Sequence, residues 1–479
     1  MAVDVTRRRF AQGSIAVGGG LALAGPISAL AAQSAEARVR RSEGYGPLRP
    51  TPEEDSGIEY IALPAGFRYR LISRQGDPMD DGNPTPGIFD GMAAYRGRNG
   101  SSILIRNHEN RSRAGEIECK VPFGKRYDHD PNVRGGNTKL VVSRNRRVTE
   151  SFAVLGGTHT NCAGGLTPWD SWITCEEIFN YGSVETNVTP GTGIPHGYCF
   201  EVDAHADGPV EPVPITAAGR FAHEACTWLD GVLYETEDQG NAAFYRFLPR
   251  RRPRESGDLA SFGGTLEALV VRGRPNFDAN TAVPGQTFQV EWVKIEEPNP
   301  PTNTVRQEAQ SKGAAIFDRT EGAWTADDRI YFDCTTGGEA QCGQLWEFRP
   351  RGRDGGELKL IYESPSTSEL DGPDNVVVVP QTGDVWLQED AGGEQFIRGV
   401  TRRGDIYDFA RTVLNNTEFC GGTFSPDGKT FFVNQQGDRA VPPSSTPPSL
   451  QALTFAIWGP FGGHHDDDDD DDRGRGRDD

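Results

Sequence analysis

Short runs of alternating apolar and polar residues dominate the chain after its first segment, and turns rich in Pro, Asp, Gly or Asn separate them. One order recurs: a turn, a short alternating run, then a polar or acidic cluster. It is found in residues 97–110, 167–177, 228–238, 325–336, 380–390 and 425–436. Such alternation is typical of strands, and strand–turn–strand units repeated along a chain are typical of a β-propeller. The pattern predicts an all-β fold, a six-bladed β-propeller with loop insertions.

The acidic clusters stand at one position of the repeat, where an alternating run ends. They include His108 and Glu109, Cys175 to Glu177, Glu237 and Asp238, Asp333, and Glu389 and Asp390. Equivalent strands of a propeller are related by rotation about its channel, so we expect these side chains to converge on one mouth. Clustered carboxylates repel one another unless cations lie between them. Carboxylates suit Ca²⁺ or Mg²⁺ and a thiolate suits a transition ion such as iron, so the mixture predicts a mixed metal site.

The composition limits the classes of partner. The net charge is −20 and the pI about 4.9, which disfavours nucleic-acid binding because phosphate backbones are bound by positive charge. The eight cysteines are sparse and irregularly spaced. Cys334 and Cys342 are close enough in sequence to bridge a local loop, and the pairing of the others stays open.

Both ends of the chain differ from the middle. Arg7 and Arg8 precede a Gly-rich apolar run, which indicates a twin-arginine signal peptide over residues 1–37, too short in its apolar part for a membrane span. We therefore expect contact with the twin-arginine export machinery and a periplasmic or secreted protein. Residues 464–479 contain seven consecutive aspartates and are expected to be a disordered tail that either solvates the protein or binds calcium loosely. Between them, residues 38–463 are predicted to form a single propeller domain, and nothing requires more than a monomer.

Several motifs in order along the chain resemble the PhoX-type alkaline phosphatases. They are ILIRNHEN (103–110), GGLTPWDSWITCEE (164–177), GRFAHEA (219–225), FDRTEG (317–322), DGPDNVVV (371–378) and EFCGGTFSPDGKTFFVNQQ (418–436). The resemblance implies a six-bladed propeller whose mouth holds Fe³⁺ and Ca²⁺. It also implies that the protein hydrolyses phosphomonoesters at this mouth. The chain departs from the family pattern at RTE, EFCGG and the residues after VNQQ.

The resemblance also implies roles for individual residues. Cys175 is expected to be the thiolate ligand of iron, with Glu176 beside it in the cluster. Arg319 is expected to hold the substrate phosphate in catalysis, because the guanidinium fork pairs with two phosphate oxygens. Asn375 is a further candidate for substrate binding. The remaining expected metal ligands are Glu224, Glu321, Glu109, Asp374 and Glu418.

Two other functions fit the sequence on the same scaffold. One is a calcium-dependent lactonase or esterase, which would not need a thiolate. The other is a non-catalytic metal-binding propeller. His108 and His223 are each open between metal ligation and a hydrogen-bonded position in the core.

Overall fold

The computed structural model describes residues 44–111, 113, 115–179, 194–438 and 450–462. The predicted signal peptide, residues 1–37, and the predicted acidic tail, residues 464–479, lie outside the described residues. All described residues fall within the predicted propeller domain, residues 38–463.

The described chain is built of short strands. They are β1 (Arg49–Thr51), β2 (Ile61–Leu63), β3 (Arg68–Arg74), β4 (Phe89–Arg96), β5 (Ser102–His108), β6 (Gly135–Val142), β7 (Val148–Thr158), β8 (Asn161–Leu166), β9 (Ser171–Glu176), β10 (Cys199–Asp203), β11 (His223–Leu229), β12 (Val232–Glu237), β13 (Tyr245–Pro249), β14 (Gly264–Val271), β15 (Thr287–Lys294), β16 (Thr320–Ala326), β17 (Arg329–Cys334), β18 (Gln344–Pro350), β19 (Gly356–Glu363), β20 (Pro373–Val378), β21 (Val385–Glu389), β22 (Phe396–Val400), β23 (Ile406–Thr412), β24 (Phe419–Phe424), β25 (Phe431–Gln435) and β26 (Leu453–Trp458).

The helices are short connections between these strands. They are the α-helices α1 (Asp258–Phe262) and α2 (Val305–Ser311) and single 3-10 turns at Arg98–Gly100, Phe123–Lys125, Thr216–Ala218 and Ala279–Thr281. Within the described chain, none of the helices has the length and hydropathy needed to cross a bilayer.

The strands form antiparallel sheets. One contains β4-β5-β6-β7, one β8-β9-β10, and one β24-β25-β26-β3; a larger sheet runs β1-β2-β23-β22-β21-β20. The largest has nine strands in the order β11-β12-β13-β14-β15-β19-β18-β17-β16, so β15 joins two four-stranded meanders. Because β3 pairs with β26, a strand from near the start of the chain completes the last sheet. The predicted all-β, propeller-like fold is confirmed.

One end strand of each sheet, and both end strands of the nine-stranded sheet, form an inner ring. Going round the ring, β4 contacts β8, β8 contacts β11, β11 contacts β16, β16 contacts β20, β20 contacts β24, and β24 contacts β4. Small residues permit this close approach. A Cβ atom at Gly91 would lie 2.5 Å from Ala163 Cα, and one at Gly322 would lie 2.6 Å from the carbonyl oxygen of Asp374. The inner strands therefore surround the axis closely enough for their side chains to meet.

Apolar side chains fill the spaces between neighbouring sheets. Trp386 of β21 is fully buried and stacks on Phe409 of β23, with ring centroids 3.7 Å apart. It also meets Phe431 of the next sheet in a T-shaped contact with ring centroids 5.0 Å apart, and its Nε1 donates to Tyr407 Oη at 2.9 Å. Strand alternation supplies such residues on both faces of each sheet, which explains why the sequence pattern predicts the fold.

Truncating this contact should loosen the two sheets. We expect Trp386→Ala to lower the free energy of unfolding by about 3–5 kcal/mol, because a large cavity would remain where the ring bridges two sheets. The measurement is denaturant unfolding followed by circular dichroism. Phe123→Ala is the control, since Phe123 is 67% exposed; a loss of the same size in both variants would contradict the interpretation.

Candidate metal centre

A β-bulge lies near the start of every inner strand. The pairing register shifts between Phe89 and Met92 in β4, Asn161 and Gly164 in β8, His223 and Cys226 in β11, Thr320 and Ala323 in β16, Pro373 and Asn375 in β20, and Cys420 and Thr423 in β24. A bulge takes residues out of the ladder and redirects their side chains. The residues released in this way include Asp90, Cys162, Glu224, Glu321 and Asp374. The bulges thus place potential metal ligands at one end of the ring.

The backbone just before several inner strands is held in the left-handed region. Ile88 has φ 50°, Thr160 φ 49°, Arg319 φ 55° and Gly372 φ 59°. Only glycine adopts this conformation without steric cost, and for β-branched Ile and Thr the cost is substantial. Such strain persists where the surrounding fold imposes it, and it is concentrated at functional sites. The entry into the inner strands is therefore fixed rather than adaptable.

Three carboxylates meet around the amide of Gln436. Its Nε2 donates to Glu109 Oε2 at 2.9 Å and to Asp90 Oδ2 at 3.1 Å, and it also contacts Glu418. An amide has two hydrogens, so it cannot satisfy three acceptors fully. Two overlapping groups each bring their ligand atoms within 4.8 Å of one another here; they are Asp90, Glu109 and Cys162, and Asp90, Glu418 and Cys420.

A thiol lies beside the next pair of carboxylates. Cys162 Sγ is 3.1 Å from Glu177 Oε2, and together with Glu224 these residues form another group within 4.8 Å. Arg111 connects this group to the first, because its guanidinium donates to Glu109 Oε1 at 2.7 Å and to Glu177 Oε2 at 2.9 Å.

The cluster continues to Arg319. Glu224, Glu321 and Asp374 lie within 4.8 Å of one another. Arg319 donates from Nε to Asp238 Oδ1 at 2.7 Å and from Nη2 to Asp238 Oδ2 at 3.0 Å, and Nη2 is 2.5 Å from Glu321 Oε1. These contacts use Nε and Nη2 and leave Nη1 for another acceptor. The Arg319 side chain is 36% exposed, so that acceptor can come from solution.

Burial and mutual repulsion raise the pKa of most of these acids. Burial raises the pKa of Glu177 to about 8 against the attraction of Arg111. The pKa of Glu224 lies well above its ordinary value because of burial and then the charge of Asp374, and that of Glu418 because of burial and then Asp390. Together the groups favour either protons or bound cations.

The pKa values of Glu321 and Asp238 are shifted in opposite directions at this site. Burial and then the charge of Asp238 raise the pKa of Glu321 well above its usual range. Asp238 has a lowered pKa: burial raises it, but its two hydrogen bonds from Arg319 outweigh that effect. Asp238 therefore remains ionised and holds the guanidinium in place.

The structure brings Glu109, Glu224, Glu321, Asp374, Glu418 and Arg319 of the predicted site together. It does not bring Cys175 into hydrogen-bond range of these carboxylates, because Cys175 lies within β9 with its Sγ 3.6 Å from Cys199 Sγ. Glu176 is used locally, since its Oε1 accepts from His159 N at 2.9 Å and its Oε2 from Gly197 N at 2.9 Å. The thiols that lie among these carboxylates are those of Cys162 and Cys420.

Asn375 and His108 have structural contacts. Asn375 Oδ1 accepts from Gly421 N at 2.8 Å, and its Nδ2 donates to Asp374 Oδ1 at 3.2 Å, so its amide joins two inner strands. His108 is fully buried, with Nδ1 3.0 Å from the Gly87 carbonyl and Nε2 2.8 Å from Thr138 Oγ1. All eight cysteines are buried free thiols, so Cys334 and Cys342 do not form the bridge considered from their spacing.

Sequence reasoning missed several residues of the cluster. They are Asp90, Cys162, Cys420 and Gln436, and it placed no role on Glu177 or Asp238 individually. The signal was present in the inner strands, where an acid or thiol precedes a small residue, as in FDGM, NCAGG, HEAC, TEGA and FCGG. The acidic residues at strand ends pointed only to the second strand of each sheet and not to the inner strand.

The residues present fit a polynuclear metal centre. Carboxylates outnumber cations, two thiols stand among them, and burial disfavours leaving the acids ionised without partners. Oxygen-only groups suit calcium, and groups that contain a thiol suit a transition ion.

A solved structure with the same fold is similar to this chain. The Pseudomonas fluorescens PhoX structure in complex with vanadate, a transition state analogue, has a TM-score of 0.65 and 18% sequence identity over 89% of this chain and 99% of that one. A gluconolactonase from Xanthomonas campestris has a TM-score of 0.40 at 10% identity, over 89% of this chain and 100% of that one. No curated protein matches the sequence.

The sequence itself matches a family described as alkaline phosphatase PhoX over residues 43–438. This range includes every residue of the cluster, from Asp90 to Gln436. The match favours the phosphatase over the lactonase and the non-catalytic propeller. The chain belongs to the PhoX family of alkaline phosphatases.

Proposed function

We propose that the residues gathered at the mouth hold iron and calcium ions and hydrolyse phosphate monoesters. We name them the mouth cluster: Asp90, Glu109, Cys162, Glu177, Glu224, Glu321, Asp374, Glu418 and Cys420, with Arg319 beside them. The observation that carries this proposal is the convergence of an acid or a thiol from bulges in successive inner strands around one buried point. A fold that only needed stability would not place so many carboxylates where burial raises their pKa.

The types of donor atom divide the mouth cluster into ligands for iron and ligands for calcium. Cys162, Glu177 and Glu224 would hold iron, because a thiolate with carboxylates suits a transition ion. The oxygens of Glu321 and Asp374 would hold calcium. Those of Asp90, Glu109 and Glu418 would also hold calcium, because Cys162 is assigned to iron and the Cys420 thiol already donates to the Phe89 carbonyl at 3.0 Å. When bound, these ions would act as Lewis acids towards the phosphate ester and its leaving group.

Arg319 is the residue proposed to bind the substrate phosphate. Asp238 fixes its guanidinium through two hydrogen bonds, while Nη1 remains for a phosphate oxygen. An oriented guanidinium favours the charge that develops on phosphoryl oxygens in the transition state. The Pseudomonas fluorescens protein of the same fold binds vanadate, a transition state analogue, which supports the proposal that this chain binds a phosphate-like anion.

The finer organisation of the chain is also proposed. Counting the two meanders joined by β15 as separate blades gives a six-bladed propeller, and the closed inner ring supports this count. Residues 1–37 are proposed to direct twin-arginine export of a monomer to the periplasm or the exterior. Residues 464–479 are proposed to be an acidic tail.

Glu321→Gln tests the cluster as a catalytic site. We expect kcat/KM for a chromogenic phosphomonoester to fall about a hundredfold or more, because a ligand and the ion-pair partner of Arg319 are both lost. Circular dichroism should remain that of the parent protein. Glu211→Gln is the control, since the Glu211 side chain is 65% exposed and its ion-pair partner among the described residues is Lys125; full activity of Glu321→Gln would reject the assignment.

Two cysteine variants separate the thiols. Cys162→Ser should lose most of the bound iron and the visible absorption of a ferric thiolate, because the proposed soft ligand is removed. Cys175→Ser should keep both. Iron analysis and absorption spectra of the two purified proteins measure this, and iron loss in Cys175→Ser alone would return the role to Cys175.

The chelated protein should lose stability as the pH rises. Glu177 has an ordinary pKa of 4.5 and about 8 in the folded chain, so between these values the folded state binds more protons than the unfolded state. Raising the pH therefore favours unfolding, by up to about 1.4 kcal/mol per pH unit for one such proton. We expect the denaturant midpoint of chelated protein to fall from pH 5 to pH 8 and added Ca²⁺ to restore it.

The matched variant for this experiment is Glu177→Gln. It removes one titrating group, so its chelated form should show a shallower decline over the same pH range. A midpoint that rises with pH in the chelated parent protein would contradict the electrostatic interpretation.

A further inference from the structure

A second group of metal-ligand side chains lies away from the mouth, between the sheet β8-β9-β10 and the strands β11 and β12. Cys175 and Cys199 are directly opposite each other in β9 and β10, and Cys226 is opposite Glu235 in β11 and β12. Side chains of a directly opposed pair lie on the same face of a sheet. Cys199, His223 and Glu235 bring one ligand atom each within 4.8 Å of one another. We name Cys175, Cys199, His223 and Glu235 the inner cluster.

Every member of the inner cluster has no exposed surface. Its surroundings are apolar, for Ile173, Phe221, Leu233 and Tyr245 belong to the same packed core. A thiol can be buried among apolar side chains at little cost. Burying a carboxylate or an imidazole costs free energy unless the group has a hydrogen-bond or ion-pair partner. The core therefore contains polar groups that require an explanation.

Glu235 is the clearest of these groups. Among the described residues, none forms a hydrogen bond to either of its carboxylate oxygens. Its nearest charged neighbour is His223, with Nδ1 3.3 Å from Glu235 Oε2, a separation that still leaves Nδ1 without a hydrogen bond in the described chain. Buried polar atoms are satisfied in more than nine cases out of ten, roughly, and exceptions mark strain, catalysis or an ion.

The histidine is oriented as a ligand would be. Its Nε2 lies 3.3 Å from the Gly219 carbonyl oxygen, which suits donation from Nε2 and leaves the Nδ1 lone pair directed to the cluster. Phe221 stacks on the ring at a centroid distance of 3.7 Å and fixes its plane. A hydrogen bond from the second ring nitrogen to a carbonyl is the usual support of a metal-bound histidine.

The distance between the thiols also suits an ion. Cys175 Sγ and Cys199 Sγ are 3.6 Å apart. Two sulfur ligands at about 2.3 Å from a tetrahedral Zn²⁺ are separated by about 3.7 Å, whereas a disulfide requires about 2.05 Å. Sulfur, imidazole nitrogen and one carboxylate oxygen form a donor set that zinc accepts.

We propose that Cys175, Cys199, His223 and Glu235 bind a single divalent transition ion of the zinc class, as a structural site separate from the mouth cluster. Its four protein ligands would close the coordination shell, as in structural zinc sites. The ion would bind the Glu235 carboxylate, which receives no hydrogen bond from the described residues, and would tie two neighbouring sheets together. Cys226 lies in the same packed core and lines the site beside Glu235.

The first test uses the unaltered full-length protein loaded with Zn²⁺ and examined by X-ray absorption at the zinc edge. None of the groups described at the mouth contains more than one thiol, so a zinc shell with two or more sulfur atoms at about 2.3 Å assigns the ion to the inner cluster. A shell with one sulfur or none overturns the proposal. So does a protein mass lower by two hydrogens with a Cys175–Cys199 crosslinked peptide, since a disulfide would then occupy the position.

The second test uses variants. Cys199→Val and Glu235→Gln should each lose one zinc ion per chain, whereas Cys342→Val should keep it, because the Cys342 thiol donates to the Ala340 carbonyl at 3.2 Å, outside both clusters. Unchanged zinc in folded Cys199→Val protein overturns the proposal. If the variants do not fold, the sulfur count in the unaltered protein decides. The result is independent of the mouth cluster, since Cys162→Ser should lose iron and retain this zinc.

Discussion

Mutual repulsion among buried carboxylates is the constraint on which the rest of the structure depends. Asp90, Glu224, Glu321, Asp374 and Glu418 are each less than a tenth exposed and lie close together. In the absence of counterions, ionising them would cost several kcal/mol per group in a medium of low polarity. The β-bulges and the left-handed residues just before the inner strands hold these carboxylates in place. The packing between the sheets keeps that backbone conformation rigid. Only Arg111 and Arg319 offer positive charge at the mouth among the contacts described, so the arrangement is complete only with cations.

The sequence predicts the fold more fully than the site, and particular residues show why. Alternation reports which face of a strand is buried, and Trp386 and its neighbours follow it directly. The polar position at strand ends indicated Glu109, and the structure places Glu109 beside Asp90 and Glu418 because β5 ends there. It could not find Asp90 or Cys162, since these stand in bulges, where the period of two is interrupted and a side chain's direction no longer follows from counting.

The same limit explains the difference between Cys175 and Cys162. Both thiols occur near carboxylates in sequence, and neighbours in sequence indicate a shared site only if backbone geometry permits it. Cys175 belongs to the regular part of β9, pairs with Cys199 and faces the adjacent sheet. Cys162 is released by the bulge in β8, and it reaches Glu177 from a different strand. The contact depends on register between strands, which local sequence does not encode.

Residues close together in sequence, in or just after two strands, contribute to the two clusters, and this links the clusters mechanically. In β11, His223 belongs to the inner cluster and Glu224 to the mouth. Around the end of β9, Cys175 and Glu177 divide in the same way. An ion in the inner cluster would therefore fix the backbone from which Glu224 and Glu177 extend. A metal centre needs its ligands held to within a fraction of an ångström, and second-shell support commonly supplies that precision. The inner cluster, a closed site with soft ligands, would hold these two strands rigid. The repulsion among the carboxylates of the mouth cluster acts against that rigidity.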